Sequence, residues 1–290
     1  PFQYARDHSV QVAGEDPWAG AHKMLVESHI QVDLAYSATT ENLNDYPMIL
    51  LPEPGAYTTA DYARLREYVE QGGILVAMGN SLLHDGQFEL EDVFGITFMG
   101  AASFKNVHFV PGATVKGDTD DIPLQVRGQA YKVVLDGAEE LAAMHFPMTD
   151  QQGIARKEFR SPHSPAQYTR SPYPFATINS YGKGTAVYVA GDLFSIYWRT
   201  NHHWLRQFME ALLRHADPTM PFEVDAAATI EANLMQSGDD LLLNLIHYAL
   251  GHQGGQSAIS AIEKVHPVHE IPCRVRCEKV EKVLLQPGKE

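Results

Sequence analysis

Two side chains in the first third of the chain could supply a nucleophile and its base. Ser81 and His84 lie in the segment Gly79-Asn-Ser-Leu-Leu-His-Asp85. In a hydrolase such a pair would let the imidazole accept the proton of the attacking hydroxyl. The nucleophile elbow Gly-x-Ser-x-Gly is incomplete, because Leu83 stands where the second glycine would be. The pattern therefore favours Ser81 as a helix cap and His84 as a surface residue.

Three polar residues each follow a predicted strand of a parallel sheet: Glu53, Asn80 and Asp192. The carboxyl ends of such strands meet at one sheet edge, where α/β folds place their ligands. These side chains could form a binding pocket there. Two carboxylates also perform glycoside hydrolysis, but the sequence does not fix the separation of Glu53 and Asp192. The favoured interpretation is structural, with both residues capping helices or holding loops.

Two neighbouring aromatic residues are candidates for stacking against a sugar ring. Tyr197 and Trp198 lie in a predicted loop just after Asp192. Trp204 would share a helix face with Leu205 and Phe208, so we expect it in the core. Tyr197 and Trp198 are therefore the better candidates for ligand binding.

Histidine and cysteine patterns give no case for a metal. His202 and His203 are adjacent, so on a helix they point about 100° apart. Cys273 and Cys277 would lie roughly 13 Å apart on a strand, too far for a disulfide. The remaining candidates have no recognised ligand spacing: His247, His252, His266 and His269. We predict no metal and no cofactor.

Length and composition bound the possible functions. The 290 residues suffice for two domains of about 150 residues each. The net charge of −14 opposes binding to nucleic acid. No apolar run reaches the roughly 18 residues of a membrane span. The start of the chain shows no signal peptide, which favours a cytoplasmic protein, and beginning at Pro1 suggests a fragment.

The first part of the chain alternates between strand and helix patterns. Strands are predicted at 30–35, 48–51 and 74–78, with a helix from a capping box at Thr58 to Gly72-Gly73. This alternation predicts a doubly wound, flavodoxin-like α/β sheet with helices on its faces. Other elements are predicted from local patterns: helices at 16–28 and 201–215, a short helix before Gly95, strands between 104 and 134, an extended loop at 160–174, and a hairpin of 175–178 and 185–190 joined by Tyr181-Gly-Lys-Gly184.

A change of periodicity follows Asp217-Pro-Thr-Met-Pro221. Beyond it the pattern of apolar residues has a period of two, which is typical of strands. We predict two domains, an α/β domain at 1–217 and a small β-sandwich at 218–290. Its strands are predicted at 230–236, 241–248, 259–265, 271–277 and 280–285.

Several of these segments together resemble a known family. The runs Tyr46–Glu53, Leu65–Gly79 and Leu90–Gly95 resemble the trimerisation domain of family 42 beta-galactosidases. They are also similar to the matching domain of alpha-L-fucosidase-type glycoside hydrolases. Tyr181–Asp192 and Leu243–Tyr248 continue the match in order.

The resemblance implies a class I glutamine-amidotransferase-like domain followed by a β domain. In amidotransferase-like enzymes a cysteine follows the strand that corresponds to Ile74–Met78, and here no cysteine follows it. In the resembling hydrolases a (β/α)8 barrel with two catalytic carboxylates precedes these domains. The resemblance thus implies an accessory region without catalytic residues, which forms a homo-oligomer, namely a trimer, and meets carbohydrate through its parent enzyme.

Two alternatives remain open at this stage. The chain could be an autonomous hydrolase or amidotransferase-like enzyme that uses Ser81 with His84, or Glu53 with Asp192. It could also be a carbohydrate-binding or assembly module without a catalytic parent.

Overall fold

The computed structural model divides the chain into two compact units. It describes residues 17–34, 42–52, 54–55, 57–117, 119, 123–147, 168–217, 219–248, 252–253, 260–261 and 265–285. The first unit holds the residues up to 217 except 26–31, and the second holds 26–31 and the residues from 218 onward.

The described residues form five α-helices, and all except the fourth begin and end close to where the sequence predicts. They are α1 (Pro17–Glu27), α2 (Thr59–Gln71), α3 (Glu91–Phe94), α4 (Leu193–Thr200) and α5 (His203–Ala216), with a 3-10 turn at Leu43–Asp45. The predicted capping box at α2 is confirmed, because the Thr58 side chain accepts from Asp61 N–H and the Asp61 carboxylate accepts from Thr58 N–H. None of the helices among the described residues combines the length and apolar character needed to cross a membrane.

One seven-stranded sheet forms the centre of the first unit. Its strands, in spatial order, are β1 (Met48–Leu51), β2 (Ile74–Met78), β11 (Gly184–Val189), β10 (Tyr168–Tyr181), β9 (Glu139–Pro147), β6 (Asn106–Pro111) and β7 (Leu124–Arg127). Two small sheets accompany it: β3 (Leu83–His84) with β4 (Gln87–Phe88), and β5 (Ile96–Ala101) with β8 (Tyr131–Leu135).

The sheet is parallel on one side and antiparallel on the other. β1, β2 and β11 run parallel, whereas β10, β9, β6 and β7 are joined by antiparallel pairs. Leu75, Val76 and Ala77 of β2 are fully buried because β1 and β11 pair with both edges of this strand and helices such as α2 contact it. The predicted α/β class followed by a β region is confirmed.

The turn between β10 and β11 packs tightly against α2. A Cβ on Gly184 would lie 2.2 Å from the carbonyl oxygen of Val69, and one on Gly182 would lie 2.7 Å from Cα of Glu70. Gly182 also has φ of +59°, a conformation that favours glycine. The two glycines therefore let the hairpin approach the helix more closely than any side chain would permit.

Three predictions of local structure away from the candidate site are wrong. Residues 168–174 belong to β10 rather than to a loop, because Pro174 lies where the register with β9 shifts and needs no ladder hydrogen bond. Residues 30–34 form no strand, since the Asp33 side chain bonds Tyr46 Oη and Leu34 N–H instead. Residues 280–285 are exposed and pair with no described strand.

The second unit consists of short antiparallel pairs around a small core. The pairs are β12 (Phe222–Val224) with β17 (Cys273–Val275), β13 (Ile230–Ser237) with β14 (Asp240–His247), and β15 (His252–Gln253) with β16 (Ser260–Ala261). Phe222, Val224 and Ala232 are buried at its centre, where Leu234 and Leu243 pack against them.

Candidate functional site

The carboxyl edge of β2 and β11 positions two of the predicted residues. Asn80 follows β2 and Asp192 follows β11, and these strands are parallel neighbours. Gly79 N–H donates to the Val189 carbonyl at 2.7 Å, and the Tyr188 hydroxyl donates to the Gly79 carbonyl at 2.8 Å. The turn after β2 is therefore fixed to β11 by two buried hydrogen bonds.

Asp192 caps the helix that follows β11. Its carboxylate accepts a hydrogen bond from Ser195 N–H at 2.9 Å and so satisfies one of the unpaired donors at the start of α4. Burial raises the pKa of the Asp192 carboxyl above its ordinary value, although the bonds to Ser195 and Phe194 and the charge of Arg199 act in the opposite direction. Burial therefore disfavours the charged carboxylate more than these interactions favour it.

Tyr131 is the residue of this edge that sequence reasoning misses. Its N–H bonds the Ala190 carbonyl at 2.8 Å, and its ring lies 3.3 Å from the position that a Cβ on Gly79 would occupy. Phe98 lies beside it, with ring centroids 5.7 Å apart. Burial and the nearby charge of Asp192 both raise the pKa of the Tyr131 phenol. No sequence signal links Tyr131 to this edge, since β8 belongs to a separate small sheet.

The Ser81 hydroxyl and the His84 imidazole contact different partners. Ser81 is 2% exposed, and its Oγ accepts from Met78 N–H at 3.2 Å. His84 is exposed, with Nε2 3.5 Å from Asp85 Oδ2 and its ring edge-on to Tyr62. The prediction of Ser81 as a helix cap is wrong, because a tight turn leads into the β3–β4 hairpin and no helix begins there. The structure describes no hydrogen bond between Ser81 and His84.

The two predicted aromatic residues lie on different sides of one helix. Tyr197 and Trp198 lie within α4, where the sequence predicts a loop. Consecutive helical residues point about 100° apart, so Tyr197 is 2% exposed while Trp198 is 43% exposed. Lys23 Nζ lies 5.7 Å from the centroid of the Tyr197 ring. Only Trp198 of the pair can meet a large ligand.

Other predicted features are placed as follows. Glu53 lies outside the described residues. Trp204 is half-buried against the rings of His202 and His203 rather than sealed in the core. Across the described ranges, no three histidine, cysteine or carboxylate side chains are placed to hold a metal ion. Cys273 and Cys277 are free thiols.

A shallow cleft lies away from this edge, at the amino ends of β1 and β2. Its volume is about 260 Å³, and Tyr46, Tyr68 and Gln71 are among its lining residues. The Tyr68 hydroxyl donates to the Tyr46 carbonyl at 2.9 Å, and Asn44 bonds Gln71 at 3.2 Å. No charged side chain lines the cleft, and its polar groups bond one another, so the carboxyl edge remains the better site.

The carboxyl edge carries polar side chains, and its described residues include no assembled nucleophile. The Tyr131 phenol lies near the Asp192 carboxyl and beside the Phe98 ring, and Asn80 follows Gly79 in the turn after β2. Such groups donate and accept hydrogen bonds with hydroxyls. Nucleophilic catalysis would need a hydroxyl or thiol within hydrogen-bond reach of a base, and Ser81 is instead bonded to the backbone.

Comparison with solved structures finds the same fold within larger enzymes. The alpha-L-fucosidase isoenzyme 2 from Paenibacillus thiaminolyticus matches 88% of this chain with a TM-score of 0.73 and 19% identity. The cold-adapted beta-galactosidase from Rahnella sp. R3 matches 79% with a TM-score of 0.56 and 19% identity. The beta-galactosidase from Bacillus circulans sp. alkalophilus matches 80% with a TM-score of 0.56 and 17% identity.

These likenesses show a shared fold. The chain spans 38% of the fucosidase and 31% and 32% of the two beta-galactosidases. Comparison with protein-family models gives no match, and comparison with curated proteins gives none either.

Proposed function

We propose that this chain is the non-catalytic accessory region of a carbohydrate-acting glycoside hydrolase. The observation that carries the proposal is the turn after β2, where the Ser81 hydroxyl is buried against Met78 N–H and His84 points to Asp85. A nucleophile in this turn would have to be exposed beside its base. The shared fold with a fucosidase and beta-galactosidases, of which the chain matches only a part, supports the same reading.

The carbohydrate role of this region is proposed to be indirect. Sugar hydrolysis would take place in the parent enzyme, and the polar carboxyl edge with Tyr131, Asp192 and Asn80 would add hydrogen bonds to a bound glycan. Asp192 is unsuited to a direct chemical role, because its carboxylate already caps α4. We further propose that the region associates with itself, since the sequence resembles a trimerisation domain.

Hydrolysis assays on the chain test the proposal. With aryl galactosides and aryl fucosides we expect no release of phenol above the uncatalysed rate. The Ser81→Ala and Asp192→Ala variants should behave like the wild type, because neither group is placed for catalysis. Enzyme-like turnover that disappears in Ser81→Ala would overturn the proposal in favour of an autonomous hydrolase.

The coding sequence before residue 1 separates the proposal from a stand-alone binding module. A barrel-coding region there would support an accessory role within a hydrolase. If the chain is encoded without such a region, the alternative hypothesis of a binding or assembly module without a catalytic parent is correct.

A further inference from the structure

Three ring side chains meet where β6, β9 and β10 lie side by side in the large sheet. His108 of β6 and His145 of β9 are directly paired, so their side chains lie on the same face. The His108 ring stacks on the Tyr168 ring with centroids 5.2 Å apart, and the His145 ring meets Tyr168 edge-on at 5.7 Å. Tyr168 is the first residue of β10. We call these three residues the His–Tyr cluster.

His108 is buried with one polar atom that has no partner. The residue is 7% exposed, and its Nδ1 forms no hydrogen bond with any described residue. An imidazolium carries two N–H groups that both need acceptors, whereas a neutral imidazole carries only one. A buried donor without an acceptor is costly. These surroundings therefore suit the neutral form of His108.

The charged groups beside the His–Tyr cluster offer no counter-ion for a protonated histidine. On β7, Gln125 lies next to the cluster and accepts from Arg127 at 3.0 Å. On β10, Arg170 lies next to it and donates to the Glu140 carboxylate of β9. Glu139 lies at the far end of β9, and β6 carries no further titratable side chain. Among the described residues of these strands, no carboxylate is thus free to pair with the cluster.

The acid–base behaviour of His108 agrees with this geometry. Burial lowers the pKa of its imidazole below the ordinary value of 6.5, and so does the charge that His145 carries when protonated. A folded state that takes up protons less readily than the unfolded chain loses stability in acid. The stability linked to His108 is therefore present above 6.5 and lost as pH falls through the folded pKa.

The start of β10 is attached to β9 separately from the rest of the strand. Residues 168–170 pair with residues 145–147, and the register then shifts before pairing resumes at Pro174. Pro147 has no N–H, so this short ladder has one donor fewer than its length would allow. Short segments with few backbone bonds open locally at low cost. Side-chain contacts such as those of Tyr168 therefore matter more here than in a continuous ladder.

We propose that the His–Tyr cluster is an acid-sensitive latch on the start of β10. The neutral imidazoles of His108 and His145 pack on the Tyr168 ring and keep residues 168–170 on β9. Protonation of both histidines places like charges on directly opposed residues, which repel each other. Residues 168–170 then separate from β9 while the rest of the sheet stays folded. This device goes beyond the proposed accessory role and does not depend on it.

Hydrogen exchange of the whole chain at two pH values tests the latch. After correction for the intrinsic pH dependence of exchange, amide protection at 168–170 should fall at least about threefold between about pH 7.5 and about pH 5, where histidine titrates. Protection at 74–78 should change less than about twofold over the same range, because β2 has no titratable side chain.

Substitution of the buried histidine should remove the pH dependence. His108→Phe keeps a flat ring beside Tyr168 but takes up no proton, so protection at 168–170 should no longer vary with pH. The matched control His215→Phe changes an exposed histidine of α5 and should keep the acid-induced loss of the wild type. If His108→Phe does not fold, as judged by circular dichroism, His145→Phe must show a reduced pH dependence instead.

Each other result overturns the latch. Protection at 168–170 that is unchanged by pH would mean that the cluster does not respond to protons. A parallel loss at 74–78 would indicate unfolding of the whole sheet. An acid-induced loss that persists in His108→Phe would assign the response to another group.

Proton NMR gives an independent readout of the coupling between the rings. The Tyr168 ring signals should shift with the same pH midpoint as the His108 imidazole, below the midpoint of histidine in the unfolded chain. Tyr168 signals that follow a different midpoint, or do not shift, would contradict the inference.

Discussion

Two strands with similarly apolar sequences, β2 and β14, lie in opposite environments. The run Ile74–Met78 in β2 pairs with a parallel strand on each edge, and its residues from Leu75 to Met78 are at most 1% exposed. The run Leu241–Ile246 in β14 pairs with β13 alone, and its apolar residues at 241, 242, 245 and 246 are 38–47% exposed. The same pattern of residues therefore occurs once inside a sheet and once at a surface.

The difference shows what an apolar strand specifies. Its composition requires cover on both faces, because each face carries side chains that water solvates poorly. It does not specify which molecule provides that cover. For β2 the same chain supplies it, whereas the described residues leave apolar side chains on both sides of β14 partly exposed.

The largest effect should come from the covered strand. Leu75 is fully buried, so Leu75→Ala removes apolar contacts and leaves a cavity. We expect a loss of about 2–5 kcal/mol in the free energy of unfolding, measured by urea denaturation. A loss below about 1 kcal/mol would show that the sheet relaxes around the cavity and that the two strands differ less than their exposures indicate.

A smaller effect is expected from the carboxyl of Asp192, which follows β11 at the carboxyl edge of the sheet. Burial raises the pKa of Asp192 above its ordinary value of 3.8, so the protonated form is favoured in the folded state. The stability linked to this group is present below 3.8 and lost as pH rises through the folded pKa. Asp192→Asn keeps a capping oxygen and stays neutral, so it should equal or exceed the wild type in stability at neutral pH and match it in acid.

Asp192→Ala is the matched variant for the cap. It removes the acceptor for Ser195 N–H and should cost about 1 kcal/mol at neutral pH in thermal or urea unfolding. If the Asn and Ala variants lose equal stability at neutral pH and none in acid, the charged carboxylate rather than the capping oxygen stabilises this edge.

The smallest effect should come from the exposed side chains of β14. In dilute solution Leu242→Ala should change the free energy of unfolding by no more than about 0.5 kcal/mol, because the side chain is nearly half exposed. The measurement is the same urea denaturation as for Leu75→Ala, at the lowest usable concentration. A loss as large as that of Leu75→Ala would remove the contrast and mean that the chain itself covers Leu242.

Most elements of the fold could be predicted because their signals are local. The capping box at Thr58 and the stop at Gly72 define α2, and β2 follows as a buried run. The hairpin of β10 and β11 is marked by its glycines. What could not be predicted depends on long-range pairing: β10 extends back to Tyr168 through two prolines because β9 accepts it with an irregular register.

The candidate site was predictable only in part. Asn80 and Asp192 could be placed because residues after parallel strands share one edge. The helix α4 was missed, although Asp192 is an ordinary N-cap, because its residues Leu193–Thr200 are mostly aromatic, β-branched or hydroxylated. Missing that helix also misplaced Tyr197, which is buried. Tyr131 reaches the edge through a separate sheet, which no spacing in the sequence reveals.

The glycines of the β10–β11 turn set a limit on how this chain can diverge. Sequence identity to two structures of the same fold is only 19%, so most positions of this fold accept different residues. Positions 182 and 184 are not, since even a methyl group there would collide with the backbone of α2. We expect distant homologues to retain both glycines, and their spacing offers an evolutionary landmark by which such homologues can be found and aligned.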